Sequence, residues 1–259
     1  MVSILINGAC GKMGRALAEA AAAQGVSVVA GVDRYAAGAT AYYPRYENIN
    51  DCKLAADVVV DFSRPDALRD LIPYCTQRGM GLVLATTGYS AEELEAIERA
   101  SQVIPVFKTA NMSLGINVML DLVQKAAKAL PEFDIEIVEK HHNAKVDAPS
   151  GTALLIADAM KEACLADKTY VFGRHTKTQR RQREEIGIHA VRGGTVAGEH
   201  RALFFGEDET LEFRHSAASR RIFAAGAVRA LDFAAGRAPG LYRVDDVLGL
   251  NDIRGGENP

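Results

Sequence analysis

The chain has 259 residues, 48% of them hydrophobic, and a formal net charge of −3. That length can bury a sizeable core in one or two domains. The weak charge gives no global attraction to nucleic acid or membrane, and no apolar run is long enough to span a bilayer.

Residues 2–7 read as a short apolar strand. The turn Gly8-Ala9-Cys10-Gly11-Lys12-Met13-Gly14-Arg15 follows, then an alanine-rich helix over 16–24 and a second strand over 26–32. The glycines are spaced G-x-x-G-x-x-G between strand and helix. That spacing suits a tight turn, close approach of backbone to a pyrophosphate, and close helix–strand packing. Gly8, Ala9, Cys10, Gly11, Lys12, Met13 and Gly14 are therefore candidate cofactor contacts. Asp33 closes the second strand, 19 residues after Gly14, where a ribose-binding acid is expected. Asp33 favours NADH. Arg34 can pair with a 2′-phosphate and favours NADPH. The residues permit both cofactors, with Asp33 tilting the preference modestly to NADH. The plain alternative is a glycine-rich turn without a ligand.

After a loop over 35–50, residues 57–62 form a buried-looking strand, and Ser63 or Arg64 caps a helix with Pro65 in its first turn. Residues 81–85 are a strand ended by Thr86-Thr87-Gly88, Ser90-Ala91-Glu92-Glu93 resembles a capping box, and 103–107 is a further strand. Strands alternating with helices imply an α/β domain with a Rossmann-type parallel sheet, whose strand ends face a ligand crevice. Ala85, Thr86, Thr87 and the backbone of Ala110, Asn111 and Met112 are thus candidates for the nicotinamide half.

The pattern changes after Ser113. A long helix to about Leu130 precedes a strand over 135–138, and three more strands follow over 186–191, 196–205 and 210–215. Four mostly antiparallel strands with two helices predict a second, smaller α+β domain. The basic stretch over 174–183 lacks interleaved aromatics and reads as a solvated loop. A last helix spans 217–236, and 244–250 is expected to pack back on the first domain. No secretory signal is expected ahead of the first strand. Cys10, Cys52, Cys75 and Cys164 are too widely spaced for a metal knuckle or a small disulfide framework. A reduced, cytoplasmic protein is expected.

The segment from Glu139 to Ala153, EKHHNAKVDAPSGTA, carries the most chemistry. His141, His142 and Lys145 are followed by Pro149 and by Ser150-Gly151-Thr152 at the start of an apolar helix. The first N–H groups of that helix have no intrahelical partner and carry its positive dipole end, a ready carboxylate site. Lys145 adds a charge, and the Ser150 and Thr152 hydroxyls add adaptable donors. A substrate with at least one carboxylate is implied. Adjacent strand histidines point to opposite faces, and no acid-and-thiol set at ligand spacing accompanies them, so no metal is expected.

This segment closely resembles the E-x-H-H-x-x-K-x-D-A-P-S-G-T-A signature of the dihydrodipicolinate reductases (4-hydroxy-tetrahydrodipicolinate reductases). The amino-terminal glycine motif, Asp61-Phe62-Ser63-Arg64-Pro65, Thr86-Thr87-Gly88, residues 111–117, Gly198-Glu199-His200 and Asp246-Val247-Leu248 resemble that family's other blocks. Ala85 stands where many relatives carry glycine, and Ala144 where some carry a further basic or imidazole side chain. The resemblance implies NADH- or NADPH-dependent reduction of a cyclic, unsaturated dicarboxylate to tetrahydrodipicolinate, on the route to diaminopimelate and lysine. It implies that His141 is the general acid and that Lys145 and His142 hold the substrate along with Ser150, Gly151 and Thr152; Lys145 can also stabilise charge that develops as hydride arrives. It further implies a cofactor domain of 1–111 and 221–259, a substrate domain of 112–220, a homotetramer through the second domain's sheets, and closure over both ligands. Two other readings compete: a Rossmann oxidoreductase acting on an imine or sugar, and a non-catalytic dinucleotide sensor.

Overall fold

A computed structural model describes residues 1–36, 41–164, 167–219 and 221–249. Residues 37–40 of the loop over 35–50, Arg220 of the last helix, and the expected segment beyond Gly249 lie outside them. The chain divides into two compact units, 1–114 with the chain from 221 onward, and 115–220.

The first unit begins β1 (Ser3–Asn7), α1 (Lys12–Ala23), β2 (Ser27–Val32), β3 (Arg45–Tyr46), β4 (Val58–Asp61), α2 (Leu68–Arg78), β5 (Gly81–Leu84), α3 (Ala91–Ser101) and β6 (Pro105–Lys108). Arg64 is the backbone cap of a 3₁₀ turn with Pro65 at its start, and that turn leads into α2. Ser90 and Glu93 form the expected capping box of α3.

The second unit holds most of α4 (Leu114–Ala129), then β7 (Asp134–His141), α5 (Gly151–Ala163), β8 (Thr169–Phe172), β9 (Glu185–Arg192), β10 (Gly198–Phe205) and β11 (Thr210–Ala217). The chain returns to the first unit with α6 (Arg221–Ala234), β12 (Gly240–Tyr242) and α7 (Val244–Leu248).

The first sheet runs β12-β6-β5-β4-β1-β2-β3, and every pairing in it is parallel. Its central strands are apolar on both faces, as a doubly covered parallel sheet requires. Ile4, Ile6, Val58, Val60 and Phe107 face a core shared with α1 and α6. Leu5, Val59, Leu82 and Val106 face the opposite core, with Leu71, Tyr74 and Ile97 of α2 and α3. Val244, Val247 and Leu248 of the expected carboxy-terminal segment pack into the first of these cores.

The second sheet is mixed and has one strand more than the four expected. It has five strands in the order β11-β10-β7-β9-β8. β10 is antiparallel to both β11 and β7, but β9 is parallel to both β7 and β8. The parallel β7–β9 pair needs a crossover, which α5 and β8 supply. One face packs Ile135, Ile137, Ile186, Ile188 and Phe204 against α4 and α5.

The basic stretch is the exposed loop expected, but two of its arginines are ion-paired. Arg174 pairs with Glu136 and Glu185, and Arg181 with Asp134 and Glu136. The buried Lys168 ammonium donates to the Arg183 carbonyl at 2.8 Å. Acids on β7 and β9 draw these cations onto the sheet.

Candidate active site

In the first unit the glycine turn is built by close contacts. Gly8 sits at φ +83°, a conformation that favours glycine. A Cβ at Gly14 would lie 2.3 Å from the Gly8 carbonyl oxygen. The Gly8 and Ala9 N–H groups both donate to the Val32 carbonyl, at 2.8 and 3.1 Å. The Asp33 carboxylate accepts from the Cys10 N–H at 2.9 Å and the Tyr35 N–H at 3.0 Å, so the acid also holds the turn. α1 is capped by Gly11 with no side-chain bond, has no acid in its first turn, and opens with Lys12 and Met13. A cavity of about 710 Å³ is lined by Gly8, Cys10, Gly11, Arg15, Asp33 and Arg34 among others. The side-chain-free cap, the glycine cradle and Asp33 fit a dinucleotide pyrophosphate and ribose.

The expected contacts Ala85, Thr86, Thr87, Ala110, Asn111 and Met112 lie at the ends of β5 and β6, and neither they nor Ala9, Lys12, Met13 and Gly14 line that cavity. The Thr86 hydroxyl donates to Asp61 at 2.8 Å. Asp61 is fully buried and also accepts from Asn7 and Ser63, tying the ends of β1, β4 and β5 together. Ala85 is half-buried, while Thr87 and Ala110 are exposed. The Asn111 N–H donates to the Thr109 hydroxyl at 3.1 Å, and the Asn111 side chain accepts from the Ser113 N–H at 2.9 Å. The Met112 side chain is buried in the core.

In the second unit, His141 ends β7 on the core-facing side, in line with Ile135, Ile137 and Glu139. Its Nδ1 lies 2.6 Å from Glu139 Oε2. The Glu139 side chain is fully buried, accepts a bidentate pair from Arg192 at 2.6 and 2.7 Å, and accepts from the Ser150 N–H at 2.9 Å. Burial pushes that carboxyl upward, but the guanidinium, His141 and the backbone N–H outweigh it and hold it below the usual range.

Ser150 caps α5, accepting from the Ala153 N–H at 3.2 Å. It is only 2% exposed, and its Oγ lies 2.9 Å from His200 Nε2. The hydroxyl is thus occupied within the protein, and Ser150 shapes the helix start rather than offering a free donor. Gly151 is exposed with nothing within 4 Å of the place a Cβ would take, so the helix start is open there. Thr152 and His142 are half-buried. The Lys145 ammonium holds both Asp147 carboxylate oxygens, at 2.7 and 2.8 Å, and this pairing keeps Asp147 below its ordinary range. The structure therefore brings His141 and Ser150 together through Glu139.

Sequence reasoning assigned no role to Glu139, Arg192 or His200. The available signal was alternation: an acid at a core-facing strand position is rare unless paired. Its partners were hidden, because Arg192 and His200 lie on other strands. His200 sits opposite Glu139 in the β10–β7 register, and its ring meets His141 edge-on at 5.2 Å.

Burial, and then the nearby His141, push the His200 imidazole down to about 4. A folded-state value below the unfolded one favours the neutral ring. Stability from this group is complete above about pH 6.5 and is lost as pH falls toward 4. That window lies mostly above carboxylate titration. Wild type is expected to lose roughly 2 kcal/mol more than His200→Gln between pH 6.5 and 4.5. Parallel urea-unfolding profiles for the two proteins would contradict this.

Comparison with known proteins identifies the lineage. The family model described as "Dihydrodipicolinate reductase, N-terminus" matches residues 2–112, and "Dihydrodipicolinate reductase, C-terminus" matches 115–248. A 4-hydroxy-tetrahydrodipicolinate reductase from Caldanaerobacter subterraneus subsp. tengcongensis is 49% identical over 96% of this chain and 98% of its own length. One from Clostridium novyi is 45% identical over 96% and 98%. The dipicolinate-bound dihydrodipicolinate reductase from Paenisporosarcina sp. TG-14 aligns with a TM-score of 0.80 at 25% identity, covering 94% of this chain and 97% of that one. A myo-inositol dehydrogenase from Corynebacterium glutamicum, at 17% identity and a TM-score of 0.54, shares the fold alone. With both halves matched and the His141–Lys145–Ser150 segment intact, this chain belongs to the dihydrodipicolinate reductase family.

Proposed function

We propose that this oxidoreductase reduces the unsaturated cyclic dicarboxylate derived from 4-hydroxy-tetrahydrodipicolinate to tetrahydrodipicolinate, in lysine and diaminopimelate biosynthesis. The carrying observation is the Glu139-held His141 on the same short segment as Lys145 and the open start of α5. A reduced nicotinamide cofactor supplies the hydride when bound. Gly8, Ala9, Cys10, Gly11, Lys12, Met13 and Gly14 would hold its pyrophosphate and Asp33 its ribose. Ala85, Thr86, Thr87, Ala110, Asn111 and Met112 would flank the nicotinamide half through their backbone.

In its imidazolium form His141 gives the proton that balances the hydride from Nε2, since the Nδ1 proton is committed to Glu139. Lys145 exchanges Asp147 for a substrate carboxylate and steadies charge that develops on reduction. The Gly151 and Thr152 end of α5, shaped by Ser150 and helped by His142, binds a carboxylate. Residues 112–220 serve as the substrate and oligomerisation domain, and 1–111 with 221–259 as the cofactor domain. The open face of the second sheet, with half-exposed Val191 and Phe205 among its ion pairs, supports a homotetramer. A cytoplasmic location is consistent with four free cysteines.

The test follows NADH and NADPH absorbance with substrate made in situ from pyruvate and aspartate semialdehyde by the preceding synthase. Turnover is expected with both cofactors, with a modest preference for NADH from Asp33. Cofactor binding without turnover would defeat the proposal, and a Michaelis constant strongly favouring NADPH would defeat the stated preference.

A further inference from the structure

Four donors converge on the two oxygens of one fully buried carboxylate. Glu139 Oε1 accepts from Arg192 Nη2 at 2.6 Å and from the Ser150 N–H at 2.9 Å. Oε2 accepts from Arg192 Nη1 at 2.7 Å and lies 2.6 Å from His141 Nδ1. An arginine and a backbone amide can only donate. The carboxylate is acceptor-only while ionised, so the neutral His141 ring must carry its proton on Nδ1 and leave Nε2 as its free nitrogen. Gly198 lies beside that edge. A Cβ there would sit 3.1 Å from Nε2, closer than ordinary contact, so glycine leaves Nε2 uncovered. The same carboxylate also fixes the cap residue of α5, whose hydroxyl is held in turn by His200.

We propose that Glu139 is a positioning residue for the reaction: it sets the tautomer of His141 and locks that ring to the start of α5. This rests on the reading of His141 as proton donor. A buried ion pair with Arg192 alone would need neither the histidine nor the Ser150 amide on the same oxygens. Glutamine is the informative replacement because it keeps the shape. Its amide nitrogen must face either Arg192 with His141, or Arg192 with Ser150, and so sets donor against donor. His141 can relieve one conflict only by turning Nδ1 into an acceptor, which puts its proton on Nε2.

The test combines ¹⁵N-histidine NMR with steady-state kinetics. Wild-type His141, assigned from the signal missing in His141→Gln, is expected to carry its proton on Nδ1 in the neutral ring. Glu139→Gln is expected to move the proton to Nε2 and lower kcat by about 10²–10⁴-fold, with the KM for NADH changed less than about threefold. Glu139→Asp is expected to keep the Nδ1 proton and regain at least about tenfold of the lost rate, since it restores the acceptor-only group. An unprotonated Nδ1 in wild type overturns the proposal without any variant, which decides the matter should Glu139→Gln fail to fold. A rate loss in Glu139→Gln with the tautomer unchanged also overturns it, as does kcat within threefold of wild type. Failure of the underlying reading shows separately, as full turnover by His141→Gln, and leaves the tautomer measurement intact.

Discussion

His141→Gln is expected to lower kcat by about 10²–10⁴-fold, the usual worth of a positioned general acid, while leaving the KM for NADH nearly unchanged. Its ring is held by Glu139 on one side, so the replacement removes a proton source without removing a binding contact. Lys145→Ala is expected to behave differently. A charge-assisted bond to a carboxylate stabilises a bound anion by about 1.5–3 kcal/mol. Its loss should raise the KM for the dicarboxylate by roughly ten- to a hundredfold. A further fall in kcat is expected from the share of that charge felt only as hydride arrives. Asp147, released from its pair, becomes an uncompensated acid beside the anion site and adds to the loss. Steady-state kinetics at saturating NADH separate the two patterns. Equal effects of both variants on KM alone would argue that His141 binds rather than reacts.

The contrast between those residues and their supports shows what a sequence discloses. Local chemistry was legible. The turn from Gly8 to Gly14 and the Ser90–Glu93 box are each written within a few residues, and each has the expected geometry. What depends on register was not. β3, β8 and β12 are edge strands of two to four residues whose pairing is decided by the neighbour they meet. The direction of β9 against β7 follows from the crossover through α5, which periodicity does not encode. The expected helix over 217–236 is shorter at both ends, because β11 continues to Ala217 and α6 stops at Ala234. In the site, Glu139 meets Arg192 across 53 residues and Ser150 meets His200 across 50, distances over which no local motif reaches. A chain read in one dimension therefore yields the groups that react sooner than the groups that aim them.

Gly14→Ala is expected to raise the NADH dissociation constant by at least about a hundredfold, a loss of about 2.7 kcal/mol. The added Cβ would stand 2.3 Å from the Gly8 carbonyl oxygen and 2.8 Å from the Ala9 Cα. Both neighbours are backbone, so no side chain can swing aside. Either α1 withdraws from β1 or the turn opens, and each movement spoils the cradle that lets backbone N–H groups approach a pyrophosphate. Overpacking of this kind also destabilises the fold by roughly 1–3 kcal/mol. Gly11→Ala supplies the graded comparison. Its Cβ would meet the Gly8 oxygen at 3.2 Å, a contact that a shift of a few tenths of an ångström relieves. Fluorescence titration with NADH, paired with urea unfolding, should therefore rank wild type, Gly11→Ala and Gly14→Ala in order of falling affinity. Gly14→Ala binding NADH within threefold of wild type would mean that this turn does not hold the dinucleotide. The hydride donor would then have to be sought elsewhere in the chain.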